Sequence, residues 1–318
     1  MATFQIAVVS LNPAAPSCPI CHSRSSNLYA ECEDVEYFTD LGKFRFYQCT
    51  DCEILHISPM LAERLSDIYP SNYYSFTETS SNPVQQIKQW LDRRNFRRIC
   101  APIPGDKLAV LDVGGGTGWV LSQVKEAENR VNETWIADID PQALSAAQLA
   151  GHHFVLGPFE RFRSDRQFDL ILLLNFIEHV PDPVAALRHA ASMLAQHGRV
   201  LVKTPNFDAL DARLFRHHSW GGFHTPRHFV LFTERSIRDI SRRAGLHISE
   251  LRYTQGAPFW AVSILNWLRE WGFVSLSRDR PSMRHPFTPT LHALFAAFDF
   301  ARMPLSKLSQ MELVLCKE

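Results

Sequence analysis

The sequence predicts an α/β protein built on a mostly parallel sheet with helices on both faces, preceded by a small cysteine-rich module. Three observations predict it. From Asp106 onward, strand-length apolar runs alternate with helix-length segments, the pattern of a doubly wound sheet. A glycine-rich turn, Gly114-Gly115-Gly116-Thr117-Gly118, follows the first of those runs, and an acid, Asp138, closes the second. Two C-x-x-C pairs stand well upstream, in a stretch that lacks the alternation.

The upstream pairs are Cys18-Pro19-Ile20-Cys21 and Cys49-Thr50-Asp51-Cys52. A two-residue gap turns both thiols of one tight turn towards one point, and two such turns complete a tetrahedral four-sulfur site of the kind Zn2+ favours. In a reducing compartment paired C-x-x-C points to metal rather than disulfides. No thioredoxin-like βαβ pattern surrounds either pair. Between them, residues 37–47 read as two strands around a turn near Gly42. Residues 1–58 are therefore expected to form a zinc-ribbon module whose structural Zn2+ sits on Cys18, Cys21, Cys49 and Cys52. His22 and Glu53 stand where such turns often place glycine.

Residues 59–82 read as a linker, with a short helix over 61–69, an aromatic loop at 70–75 and a polar stretch at 77–82. Pro83 opens a helix carrying Ile87, Trp90, Leu91 and Ile99 near helical spacing, with a basic row of Arg93, Arg94, Arg97 and Arg98 that reads as a solvated face. Residues 83–318 are expected to form one domain. Strands are predicted at 107–113, 134–138, 153–156, 168–174, 199–203, 246–253 and 311–316. Helices are predicted at 119–128, from Pro141 to 150, at 183–195 and at 233–244, the last closed by Gly245.

Glycine has a physical task in the first turn: the chain reverses tightly there and must let a ligand approach its backbone. Nicotinamide and flavin enzymes use related turns. The acid before the glycines, Asp112, suits a cationic aminoacyl ligand better than a pyrophosphate, and a carboxylate at Asp138 can take both hydroxyls of a ribose.

The run Leu111-Asp112-Val113-Gly114-Gly115-Gly116-Thr117-Gly118 resembles motif I of class I S-adenosyl-L-methionine-dependent methyltransferases. Three later segments resemble the ubiquinone-biosynthesis-type subgroup: Phe168-Asp169-Leu170-Ile171 with Ile177-Glu178-His179-Val180-Pro181-Asp182-Pro183, Gly198-Arg199-Val200-Leu201-Val202-Lys203-Thr204-Pro205-Asn206, and His224-Thr225-Pro226-Arg227-His228-Phe229-Val230-Leu231-Phe232-Thr233. The resemblance covers residues 106–254. It implies a Rossmann-like seven-stranded methyltransferase sheet with the last strand antiparallel. It also implies a methyl donor lined by Asp112, Gly114, Gly115, Gly116 and Gly118 at its methionine end. Asp138 would bind ribose, Ile139 would pack on adenine and Asn175 would border the sulfonium. The segment Gly157-Pro158-Phe159-Glu160 departs from the subgroup, whose acid comes earlier, so Phe159 or a backbone group is expected to meet the adenine.

Methyl transfer is an in-line displacement, so the protein mainly aligns the acceptor and removes its proton where one must leave. His179 lies just beyond the fourth strand, at the edge where ligands bind in open α/β sheets. It reads either as a general base or, with Glu178, as a cap on the next helix. His224 and His228 read either as groups over the acceptor or as a brace for their loop. His217 and His218 read as solvent-facing. No two of these histidines have the spacing of a known catalytic metal motif.

Between the last two strands, residues 255–309 form an insertion with two apolar helix candidates, 259–273 and 291–303. It reads as a lid or acceptor pocket, as a peripheral membrane contact through 255–303, or as a helical layer with its own core. Together these features point to methylation of an oxygen or carbon on a small-molecule, sugar or lipid-linked acceptor. A scaffold that keeps the cofactor crevice without turnover is the alternative. Lysines plus arginines and aspartates plus glutamates number 33 each, so no global charge favours nucleic acid, and no Asn-Pro-Pro-aromatic segment follows the fourth strand. The N-terminus lacks the basic start and apolar core of a secretory signal, which leads to the expectation of a cytoplasmic, membrane-peripheral location.

Overall fold

The computed structural model describes residues 15–39, 41–69 and 83–317. The expected aromatic loop at 70–75 and polar stretch at 77–82 lie outside them, as does the segment read for a secretory signal. In chain order the cysteine-rich part supplies β1 (Ser26–Cys32), β2 (Phe44–Cys49) and β3 (Leu55–Ser58). After the short α1 (Leu65–Ile68) and α2 (Pro83–Cys100), the alternation follows as β4 (Leu108–Val113), α3 (Trp119–Ala127), β5 (Val131–Asp138), α4 (Leu144–Leu149), β6 (His153–Leu156) and β7 (Phe168–Leu174). It continues with α5 (Pro183–Met193), β8 (Leu194–Pro205), α6 (Leu210–Leu214), β9 (Val230–Leu231), α7 (Glu234–Arg243) and β10 (Leu246–Thr254). The insertion is α8 (Ala257–Glu270) and α9 (Thr288–Arg302), and β11 (Gln310–Lys317) ends the fold.

The large sheet runs β10-β11-β8-β7-β4-β5-β6. Pairs from β8 to β6 are parallel, and β11 is antiparallel to both of its neighbours. This is the expected seven-stranded α/β sheet. Every residue of β4 is buried because helices cover both faces, which is why that strand reads as a continuous apolar run rather than an alternation. Helix ends follow side-chain chemistry. Asp182 caps α5 by accepting the Ala185 N–H at 2.9 Å, with Pro183 in the first turn. Thr233 and Ser236 form a reciprocal cap on α7.

The ribbon departs from expectation in two ways. Residues 37–39 are not a strand: β1 lies earlier and pairs antiparallel with β2. The cause is Asp34, whose carboxylate accepts the N–H groups of Glu36 at 3.2 Å and Tyr37 at 3.0 Å, and the Thr39 hydroxyl at 2.6 Å. A side chain that satisfies these donors locally removes the reason to form a ladder. Secondly, the small sheet has a fourth strand from far along the chain. β9 pairs with β3, Leu55 facing Leu231 and His56 facing Val230. The core beneath is shared too: Phe44 and Phe46 pack with Phe207, Trp220, Phe223 and Phe229.

In α2, Phe96, Ile99 and Cys100 are buried, while Ile87, Trp90 and Leu91 are exposed. Its basic row anchors as well as solvates, since Arg93 pairs with Glu126, and Arg97 donates to the Ala127 carbonyl at 3.2 Å. In the insertion, Trp260 stacks on Phe295 at 4.8 Å, and buried Asp299 accepts from Gly256 N at 2.8 Å and from Arg302 Nε at 2.9 Å. The insertion therefore joins the core beneath the small sheet, where Trp260 and Phe295 pack in the same cluster as Phe44 and Trp220. Its outer face still exposes Trp271, Phe273 and Phe300, at 66%, 76% and 76% of their surface. No described helix is long and apolar enough to cross a membrane.

Candidate functional site

The glycine turn and its two acids lie at the carboxyl ends of β4 and β5. Gly114, Gly116 and Gly118 all have positive φ (72°, 53° and 83°), which only glycine adopts without strain. A Cβ on Gly115 would lie 2.8 Å from the Asp112 carboxyl, so this glycine keeps the backbone clear of that acid. Gly118 is buried, and a Cβ there would meet His152 at 2.2 Å, so helix packing demands it. Asp138 accepts Gly116 N–H and Asp140 N–H at 2.8 and 2.9 Å, which ties the turn to β5.

Both acids sit in a poor solvent for charge. Burial, and then the neighbouring Asp138, push the Asp112 carboxyl up to about 8. Burial also raises Asp138 above the usual carboxylate range. Asp112 Oδ2 has no hydrogen-bond partner among the described residues. A buried acid with an unmatched oxygen fits a cationic ligand, whose charge would favour the carboxylate form. Ile139 is half exposed beside Asp138, open for stacking, whereas Phe159 is buried edge-on to Phe176 at 5.6 Å. Phe159 is therefore closed off by Phe176, and Ile139 is the apolar side chain left open beside Asp138. Asn175 is exposed at the end of β7 with φ of 51°, and its side-chain oxygen accepts from Gln310 at 3.2 Å.

One turn further on, the chain delivers Glu178 and His179 into a cluster that spacing does not reveal. The His179 ring lies 4.6 Å from that of His228 and 6.0 Å from that of His224. His179 Nδ1 meets the Arg227 carbonyl at 3.1 Å and the Tyr69 hydroxyl at 2.8 Å. A carbonyl only accepts, so the Arg227 contact calls for the Nδ1–H tautomer, whereas a Tyr69 hydroxyl donating to Nδ1 would call for the Nε2–H one. Burial and then His224 drive the His179 imidazole down to about 3, against the Arg227 carbonyl, so the ring is neutral at ordinary pH. His228 is lowered in the same way, by burial and then His179, and its Nδ1 donates to the Gly222 carbonyl at 2.8 Å. Glu178 and His179 do not cap α5, a task Asp182 performs. Glu178 instead turns inward: Thr204 donates to its Oε2 at 2.9 Å, and its Oε1 lies 4.0 Å from His228 Nε2. The exposed His217 takes no part, and His218 pairs with Glu270 at the surface.

Burial pushes the Glu178 carboxyl up to about 8. A raised carboxyl is favoured protonated in the fold, so its contribution is complete below the ordinary value near 4.5 and is lost as pH rises through about 8. Glu178→Gln keeps an acceptor for Thr204 without the titration. It should match the parent below pH ~4.5 and be more stable by on the order of 2 kcal/mol at pH ~9. Denaturant unfolding at the two pH values checks this, and a gap that does not change with pH counts against it.

The four cysteine sulfurs all lie within 4.8 Å of one another, with Cys18–Cys52 at 3.6 Å and Cys21–Cys49 at 3.5 Å. Tetrahedral Zn–S bonds of ~2.3 Å place sulfurs about 3.8 Å apart, so the donor set fits that ion. The two turns repeat each other: His22 and Glu53 both have φ of 60°, and their N–H groups reach the Cys18 and Cys49 carbonyls at 3.0 and 3.1 Å. Cys32 and Cys100 lie apart, their thiols pushed up to about 12 by burial. Asp34 and Glu36 carry no motif. Arg227 and Thr204 lie in segments that resemble the subgroup, and Tyr69 ends the helix expected over 61–69, but none of them reads as a site residue.

A ribose-bearing cationic donor needs carboxylates on either side of an open glycine turn, and the strand order around that turn is the one its enzymes use. This is a class I S-adenosylmethionine-dependent methyltransferase. The chain belongs to the methyltransferase-domain family, whose profile matches residues 81–251. A Pseudomonas aeruginosa (strain UCBPP-PA14) Ubiquinone biosynthesis O-methyltransferase is 28% identical over 195 residues, 55% of this chain and 78% of that protein. The Bordetella avium (strain 197N) protein of the same name is 28% identical over 172 residues, 49% of this chain and 69% of its own. Among solved structures, magnesium protoporphyrin IX methyltransferase from Synechocystis PCC 6803 with bound SAH is 15% identical with a TM-score of 0.44, covering 80% of this chain and 94% of that one.

Proposed function

We propose that this enzyme methylates an oxygen or carbon of a small-molecule, sugar or lipid-linked acceptor, with His179 receiving the acceptor's proton. The observation that carries the reading is the segment 175–179. It leaves β7 at the donor crevice with Asn175 and reaches His179 within a single 3-10 turn, Ile177–His179. The bound donor supplies an already activated methyl group. Asp112 and Asp138 would hold its cationic and ribose ends, and Ile139 its adenine. In this reading the Nδ1 proton goes to Arg227 O, which would leave Nε2 as the acceptor. Burial weakens the His179 imidazole as a base, which favours an acceptor more acidic than an alcohol, such as a phenol or enol. The O-methyltransferase relatives support oxygen over carbon.

The exposed aromatics of α8 and α9 favour a lipid-linked acceptor or contact with a membrane surface. The four cysteines are proposed to hold one structural Zn2+, which elemental analysis of the purified chain checks. Incubation with methyl-labelled S-adenosylmethionine and a cell extract should label one phenolic or enolic product, identified by its mass. Label entering only macromolecules, or nothing, would overturn the reading.

A further inference from the structure

We propose that the four-cysteine module positions the proton-accepting histidine, with Asp34 and Glu36 as positioning residues for the loop 224–229. The proposal rests on the preceding reading only in taking His179 as the proton acceptor.

The module reaches that loop through charges rather than through apolar contact alone. Arg227 is fully buried, and its guanidinium donates to Asp34 Oδ2 at 2.9 Å. Burial alone would raise Asp34, but Arg227 outweighs it and holds the carboxyl below its ordinary range. Glu36 Oε1 meets His224 Nδ1 at 3.0 Å, both side chains being buried. On the backbone, Ile57 N–H donates to the Phe229 carbonyl at 3.0 Å, and Phe229 N–H donates to the Glu178 carbonyl at 2.7 Å. The loop is thus held between the module on one side and the 175–179 segment on the other.

The decisive link is Arg227 itself. Its side chain is clamped by Asp34, while its carbonyl lies 3.1 Å from His179 Nδ1, placed to accept a proton carried there. Moving the guanidinium moves that carbonyl, and with it the choice of which imidazole nitrogen stays basic. A buried ion pair adds little to stability compared with apolar packing of the same shape, but it fixes one geometry. His224 holds φ of 40°, a backbone conformation that persists only where surroundings enforce it.

The test is nitrogen-15 spectroscopy of the imidazoles together with amide exchange, on the full chain. Asp34→Asn alone strands Arg227 and risks unfolding, so the pair is replaced as Asp34→Asn/Arg227→Met. Glu36→Ala is the second variant, with Glu36→Gln as its rescue because Gln keeps the acceptor for His224. The pair replacement should leave SAH affinity within about threefold while His179 loses its single Nδ1–H tautomer and exchange at 224–229 rises about tenfold or more; kcat on the labelled acceptor should fall about 100-fold with KM little changed, the scale of a small misplacement. Glu36→Ala should shift the same signals in part, and Glu36→Gln should restore them. Unchanged tautomer and exchange in both folded variants would overturn the positioning role. A tautomer shift that leaves kcat intact would instead overturn His179 as proton acceptor, so the two ideas fail separately.

Discussion

His179→Asn is expected to lower methyl transfer by about 100- to 10,000-fold, the usual worth of a placed general base, while SAH affinity stays within about threefold. Asparagine is the informative choice. Its amide nitrogen falls near the place of Nδ1 and can still donate to the Arg227 carbonyl, so the loop keeps its anchor. What disappears is Nε2 and its lone pair. The measurement is kcat on the product-defined acceptor, with calorimetry of SAH as the control. A variant within threefold of the parent in kcat would leave His179 a packing residue, and the proton would have to leave by another path.

Asp138→Ala is expected to weaken SAH binding about 100-fold, since two hydrogen bonds to a carboxylate at roughly 1.5 kcal/mol or more each account for about 3 kcal/mol. The fold should survive. Asp138 is raised by burial, so its charge is not a favourable feature of the empty crevice. The loss of its bonds to Gly116 and Asp140 affects only the rim of the turn. Asp138→Asn, which keeps an acceptor but not the charge, should fall between the two. Equal affinities for parent and Asp138→Ala would remove the ribose contact from the site.

The sheet was legible because its strands obey local rules. Residues 168–174 are apolar except for Asp169, and the strand they form is covered on both faces. The glycine turn was legible for the same reason: positive φ at Gly114 and Gly116 leaves a mark that survives in one sequence. The histidine cluster was legible only in part. His179, His224 and His228 were candidates singly, but Tyr69 and Glu36 meet them, and Asp34 meets Arg227, across long chain separations that leave no spacing signal. Reading two ribbon strands within 37–47 misses β1 because the turn that Asp34 builds leaves no mark in apolar patterning. A two-residue strand such as β9 is too short for any periodicity to show.

The pairing of β3 with β9 bears on how the chain is made. The cysteine-rich segment leaves the ribosome first, yet the last strand of its sheet is encoded after most of the donor-binding sheet. Synthesis must pass Leu231 before that edge can close. Until then Leu55 and His56 present an open ladder, and an amino-terminal fragment cut anywhere short of that point would carry the same exposed edge.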